Sequence, residues 1–257
     1  MRENVLKKKL SGGHTCVGTD AWEFASPELP AILASAGMDF IWIDQEHGHF
    51  TTETVAMLCR ASRACEITTL VRVPQGQYHL IARILDMGPD GVIIPRVETT
   101  EVAKLAVRAS RYPPLGIRGY GPRGIHTDYK QMVPAEYTRF LNDNTIVALQ
   151  IESVAGVDAL DEMLDSGGVD LIIVGPMDLC YSMGLEGRYR EPAVTEQIQR
   201  VLQITKGHSA PCGIAFGGDM DYLRSWRDRG MTFLSAETDT GLLQMGAIST
   251  VAALRQH

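Results

Sequence analysis

One short pattern recurs along the chain and narrows its possible folds more than any other feature. Gly37-Met-Asp39, Gly88-Pro-Asp90 and Gly168-Val-Asp170 each join the end of a helical period to an apolar strand, and Gly230-Met-Thr232 is a looser copy. A glycine just past a helix supplies the left-handed turn that stops it, and the polar residue opens the next strand. The recurrence marks repeated αβ units. The strands it introduces, such as Phe40–Asp44, Gly91–Pro95 and Leu171–Val174, are apolar on both faces. Strands of that kind pair in parallel under helices on both sides. Further strands are expected at Thr15–Gly18, Thr68–Arg72, Thr145–Glu152, Cys212–Ala215 and, weakly, Phe233–Ser235, with helical periods between them and a last helix over Gly241–Arg255. Eight such units in 257 residues fit one closed (β/α)8 barrel domain better than an open sheet.

Composition removes several function classes. The net charge is −7, and no basic block exceeds Lys7-Lys8-Lys9, which reads as a solvated N-terminal turn. Neither a nucleic acid nor an anionic membrane is an expected partner. The five cysteines are odd in number and contain no Cys-x-x-Cys pair, which suits free thiols in a reducing compartment. With no apolar signal core or membrane-length run, a cytoplasmic location is the expectation.

In a barrel of this kind chemistry gathers where the strands end. Here Phe40–Asp44 runs into Asp44-Gln-Glu-His47-Gly-His49, the third strand ends in Arg72, the fifth carries Gln150 and Glu152, and Gly175-Pro-Met-Asp178 follows the sixth. The fourth, seventh and eighth strands end in little that ionises. Gln150 and Glu152 are two apart, so a strand points both to one face. Glu152 and Asp178 on adjacent strands suit a hard divalent cation, Mg²⁺, Mn²⁺ or Co²⁺. The alternative is that each carboxylate caps the helix after it. Arg72 can fork onto a substrate carboxylate or pair with Asp44 or Glu46. His47 is the proton-transfer candidate, with His47-x-His49 as a metal pair the alternative. No lysine lies on or just after an expected strand, so a Schiff-base amine is not expected. Gly119-Tyr-Gly-Pro-Arg-Gly124 has the letters of a dinucleotide fingerprint but follows a helix, not a strand. The Gly/Pro-rich segment Tyr112–Pro134 around it reads as an active-site loop.

Taken in order, Asp44-Gln-Glu-His-Gly48, Leu70-Val-Arg-Val-Pro74, Pro95-Arg-Val-Glu98, Tyr112-Pro-Pro-Leu-Gly-Ile-Arg-Gly119, Gln150-Ile-Glu152 and Gly175-Pro-Met-Asp-Leu179 resemble the HpcH/HpaI aldolase/citrate lyase family, and within it the class II pyruvate aldolases. The resemblance covers about residues 15 to 250. It implies a barrel of the phosphoenolpyruvate/pyruvate type, often hexameric as a trimer of dimers, with the last helix swapped between subunits. It implies that Glu152 and Asp178 hold the metal, and that Arg72, Gln150 and backbone N–H groups near Gly175 and Met177 hold pyruvate. His47, oriented by Asp44, would move the proton. The implied reaction is reversible cleavage of a 4-hydroxy-2-oxo acid to pyruvate and an aldehyde. An acyl-CoA lyase, which would need Arg118 and Arg123 for the CoA phosphates, and a non-catalytic oxo-acid-binding protein are the alternatives. Cys180, His49-Phe50 and the Gly119–Tyr129 loop depart from the family's usual residues and bear on the aldehyde partner.

Overall fold

Strands that are apolar on both faces need cover on both. The computed structural model, which describes residues 1–255, provides it by closing the sheet on itself. Eight parallel strands form a barrel in chain order: β1 (Cys16–Ala21), β2 (Phe40–Asp44), β3 (Thr68–Arg72), β4 (Gly91–Ile94), β5 (Ile146–Ile151), β6 (Leu171–Val174), β7 (Cys212–Phe216) and β8 (Phe233–Thr238). The helices are α1 (Val5–Ser11), α2 (Leu29–Ser35), α3 (Thr52–Ala64), α4 (Tyr78–Asp86), α5 (Thr100–Ser110), α6 (Pro134–Asn144), α7 (Val154–Asp165), α8 (Pro176–Ser182), α9 (Pro192–Gly207), α10 (Met220–Asp228) and α11 (Asp239–Arg255). Alternate residues separate two apolar layers. Phe40, Trp42, Leu70, Ile93, Ala148, Ile173 and Phe233 fill the barrel, while Ile41, Ile43, Val71, Val92, Val147 and Leu149 face the helices. This (β/α)8 architecture is the one expected from the αβ repeat.

The repeated Gly-x-Asp pattern works as a clamp. Gly37, Gly88, Gly168 and Gly230 all have positive φ, between 84° and 111°. The residue two further on then meets the strand before it twice. Asp39 donates its N–H to the Val17 carbonyl (2.8 Å) and accepts the Val17 N–H on its carboxylate (2.9 Å). Asp90 does so around Thr69 and Val147 is gripped by Asp170, with carboxylate contacts of 2.9 Å in each case. Thr232 keeps only the main-chain half, to Cys212.

Several boundaries differ from the sequence expectation. The Lys7-Lys8-Lys9 turn is part of α1, whose Leu6 and Leu10 plug the N-terminal end of the barrel interior. Two of its three charges are paired: Lys7 with Asp170 (2.9 Å) and Lys9 with Asp39 (2.6 Å), and nearby Arg2 pairs with Asp90 (2.7 Å). Ser26 does not cap α2, which starts at Leu29 with no side-chain cap. The strands β1 and β8 run three residues beyond the expected ends. The short helix α8 was not expected, nor was α6.

The Tyr112–Pro134 segment, expected as an active-site loop, contributes no residue to the cavity at the strand ends. It packs between α4 and α6, where His126 contacts the Asp86 carbonyl of α4 (3.1 Å) and the Tyr137 hydroxyl of α6 (2.7 Å). Gly88 makes room for it, because a Cβ there would lie 2.6 Å from Ile125 Cγ2. The fingerprint letters fall in irregular chain before the three-residue 3-10 turn Ile125–Thr127, with no strand-to-helix turn to seat a pyrophosphate.

Candidate active site

A cavity of about 580 Å³ opens at the C-terminal ends of the strands. His47, Arg72, Gln150, Glu152, Gly175, Met177 and Asp178 all line it. Asp44, completely buried, lies beneath them. The sequence-derived residues therefore converge, although their contacts differ in part from those expected.

Arg72 is the fixed point. Strands β2 and β3 place Asp44 beside it in register. Its guanidinium forks onto both Asp44 oxygens, at 2.9 Å from Nε and through a shorter contact from Nη2. Nη1 donates to Gln150 Oε1 at 3.3 Å and lies 3.3 Å from Glu46 Oε2. Beneath it the guanidinium rests 5.0 Å over the Trp42 ring. Burial and these partners hold a side chain that is otherwise floppy in one orientation. Asp44 Oδ1 also accepts the backbone N–H groups of Glu46 (2.8 Å) and His47 (3.4 Å). Asp44 thus sets Arg72 and the turn after β2. Its contact with His47 is to the backbone N–H, and among the described residues no hydrogen bond joins it to the imidazole. The exposed imidazole of His47 stands at the cavity edge beside Trp22, with ring centroids 5.7 Å apart. His49 points elsewhere, 3.5 Å from Glu23 on the surface.

The capping alternatives are resolved by the neighbours. Ser153, one residue beyond Glu152, caps α7 by accepting the Gly156 N–H at 3.1 Å. Asp178 lies in the first turn of α8, whose cap position is Gly175. Both carboxylates are left for the cavity. Glu152 is buried and its Oε2 accepts one hydrogen bond, from the N–H of Arg96 at 3.0 Å. Arg96 presents that N–H from a left-handed conformation, φ 53°. Burial and then the Asp178 carboxylate push the Glu152 carboxyl up to about 7, against the opposing pull of Arg72. A carboxyl raised by burial and by a neighbouring carboxylate marks a place where a bound cation would relieve the repulsion. Among the described residues no third His, Cys, Asp or Glu completes a protein-only metal cage.

Gly175 serves clearance. Its N–H goes to the Ile151 carbonyl (3.2 Å), and a Cβ there would sit 2.6 Å from Glu152 Oε1. The backbone donors near the pair are instead the first-turn N–H groups of α8, which no helix satisfies internally.

The opposite wall went unnoticed in the sequence. Asp20 of β1, Ser235 and Glu237 of β8, and Tyr189 and Asp219 also line the cavity. The signal was present: extending β1 and β8 by one more alternation points Asp20 and Glu237 inward. Arg118 and Arg123, which a CoA ester would require, are not among the lining residues. Arg118 pairs with Asp86 (2.8 Å) over the Tyr112 ring, and Arg123 donates to Gln131.

Residues 23–245 match the family model described as HpcH/HpaI aldolase/citrate lyase. The chain belongs to the HpcH/HpaI aldolase/citrate lyase family. It is 35% identical to a hydroxypyruvate/pyruvate aldolase of Roseovarius nubinhibens over 98% of this chain and 97% of that protein. A 5-keto-4-deoxy-D-glucarate aldolase of Salmonella arizonae is also 35% identical, over 95% of this chain and 93% of the relative. The crystal structure of an HpcH/HpaI aldolase from Desulfitobacterium hafniense superposes with a TM-score of 0.92 at 33% identity, covering 98% and 97% of the two chains.

Proposed function

We propose that this protein is a divalent-metal-dependent aldolase that reversibly cleaves a 4-hydroxy-2-oxo acid to pyruvate and an aldehyde. The observation that carries this reading is one cavity in which a like-charged acid pair, Glu152 and Asp178, meets a pre-set Arg72 and Gln150. The aldolase names of relatives that match nearly the whole chain support it.

A hard cation, Mg²⁺, Mn²⁺ or Co²⁺, fits the pair, because both donors are carboxylates and the rest of its coordination is open to water and substrate oxygens. Glu152 and Asp178 would hold it. When bound, such a cation polarises the 2-oxo group as a Lewis acid. Arg72 would bind the substrate carboxylate and face the negative charge that develops as the C3–C4 bond breaks. Because Asp44 and Trp42 fix it beforehand, little reorganisation is needed at that moment. Gln150 spends its carbonyl oxygen on Arg72, which leaves its NH₂ group for the substrate. The first turn of α8, with Met177, supplies backbone N–H donors on the same side. His47 would take the C4 hydroxyl proton: an imidazole exchanges protons near neutral pH, and this one stands at the open edge where the aldehyde half leaves.

The helix α11 supports an oligomer. Leu243, Met245, Ile248, Val251 and Leu254 are exposed along it, from 45% to 81%. Such an apolar helix suits packing on a second copy, as in a hexamer built as a trimer of dimers. No described helix is long and apolar enough to cross a membrane.

The direct test strips the protein of metal, restores Mg²⁺ or Mn²⁺, and follows pyruvate release from a series of 4-hydroxy-2-oxo acids. Metal-dependent release from at least one is expected; silence on all of them would overturn the reading.

A further inference from the structure

The cavity has two chemically different walls, and the proposed reaction uses only one. On the far wall Asp20 Oδ1 accepts a short hydrogen bond from the Ser235 hydroxyl, and Ser235 is itself buried. Among the described residues Asp20 Oδ2 takes no hydrogen bond and Asp20 has no ion-pair partner. Trp42 and Arg72 line the same cavity, so Asp20 faces the space above the barrel interior rather than bulk solvent. Glu237 stands beside it on β8, with Oε2 accepting the Gly218 N–H at 2.6 Å and Oε1 the Thr238 N–H at 3.2 Å. It too has no cation partner among the described residues.

The charges around the cavity compensate unevenly. Arg72 is the only Lys or Arg among the lining residues, and Asp44 holds it. Asp219 is covered by Arg190 and by the Tyr189 hydroxyl at 2.8 Å. A divalent cation would offset Glu152 and Asp178. Asp20 and Glu237 remain, and they face whatever part of the substrate is not the oxo acid.

Resting on the aldolase reading, we propose that Asp20, held by Ser235, recognises hydroxyl groups on the aldehyde half, so that this enzyme selects uncharged hydroxyaldehydes and rejects aldehydes bearing a carboxylate. The chemistry suits a hydroxyl in either protonation state of Asp20. Burial pushes this carboxyl up to about 7, although the Ser235 hydrogen bond and Arg72 both pull it down. A hydroxyl donates to the carboxylate and accepts from the carboxylic acid. A substrate carboxylate only accepts, and it would lie opposite Glu237 with no cation free to meet it. A methyl group in the same place leaves Oδ2 without a partner, which costs most where water is excluded. Selection of this kind comes from repulsion as much as from attraction.

The test is aldol addition of pyruvate, with Mg²⁺ or Mn²⁺, to three aldehydes: glyceraldehyde, propanal and succinic semialdehyde. For the wild type we expect kcat/KM for glyceraldehyde to exceed both others by about tenfold or more. Asp20→Ala should bring the glyceraldehyde-to-propanal ratio down by about tenfold, and Ser235→Ala part of the way. Asp20→Asn, nearly isosteric, should raise the relative rate with succinic semialdehyde. A wild type that prefers propanal or succinic semialdehyde overturns the inference, as does an Asp20→Ala enzyme with an unchanged ratio. So does a variant whose only change is in the choice between hydroxypyruvate and pyruvate as nucleophile. Each ratio is taken within one preparation, so partial misfolding cancels, and the wild-type arm decides even if a variant does not fold. Failure of the underlying aldolase reading looks different: the wild type would not exchange the methyl protons of pyruvate with D₂O when metal is added.

Discussion

The two ends of the barrel are both rich in aspartate and glutamate, yet they treat them in opposite ways. At the N-terminal end Asp39, Asp90 and Asp170 each accept a backbone N–H from the preceding strand, and each has a cation: Lys9, Arg2, and Lys7 with Arg111. At the C-terminal end Asp20, Glu237, Glu152 and Asp178 have no cation partner among the described residues, and the one arginine that lines the cavity is committed to Asp44. Acids satisfied within the fold contribute stability. Acids left unsatisfied around a cavity cost stability and become available to a ligand. A barrel can place both kinds in one chain because its ends are separated by the packed layers of Phe40, Trp42, Ile93 and Phe233.

That contrast can be broken residue by residue. Arg72→Ala should have the largest effect, because it is where the two kinds of acid meet. It should lower kcat/KM by about 10³-fold or more. It should also destabilise the protein by about 3–5 kcal/mol in urea unfolding, since Asp44 would be left buried without its partner. His47→Ala should cost about 10²- to 10⁴-fold in kcat with Tm unchanged. Metal binding measured by calorimetry should survive; its loss would make His47 a ligand. Asp170→Ala tests the other end. We expect about 2 kcal/mol of lost stability, from the stranded Val147 N–H and two released cations, with kcat intact. A drop in kcat there would mean that the ends are coupled.

The smallest effect concerns pH. Asp20 has a folded pKa of about 7, above the ordinary carboxylate value. Its contribution is therefore fully present below about pH 4, near the unfolded pKa, and is lost as pH rises through about 7. Asp20→Asn cannot ionise, so its Tm should exceed that of the wild type at pH 8, and the gap should narrow toward pH 4. An equal gap at both pH values would show that the Asp20 carboxyl is not strained by burial.

Much of this was legible before any coordinates. The Gly-x-Asp repeat announced the αβ units, and the polar ends of β2, β3, β5 and the start of α8 named His47, Arg72, Gln150, Glu152 and Asp178. Local pattern failed where the relevant partner is distant in sequence. Lys7, Lys8 and Lys9 look like any solvated charge run until Asp170 and Asp39 are brought beneath two of them. The Tyr112–Pro134 segment looks like a cavity-lining loop until α4 and Tyr137 claim it. Asp20 and Glu237 went unseen because β1 and β8 carry a Gly, a Ser and several polar residues near their ends. Their strand character there comes from pairing with each other and with their outer neighbours.

The sequence by itself determined the architecture and one wall of the cavity. Helix stops, strand hydrophobicity and side-chain alternation are short-range properties, and eight copies of one unit leave little choice of topology. Only the tertiary structure decided which acids are satisfied and which are left open. That depends on which residues closure of the barrel places within hydrogen-bonding distance. Closure joins β8 to β1, the two strands farthest apart in the chain, and so sets Ser235 against Asp20, 215 positions away.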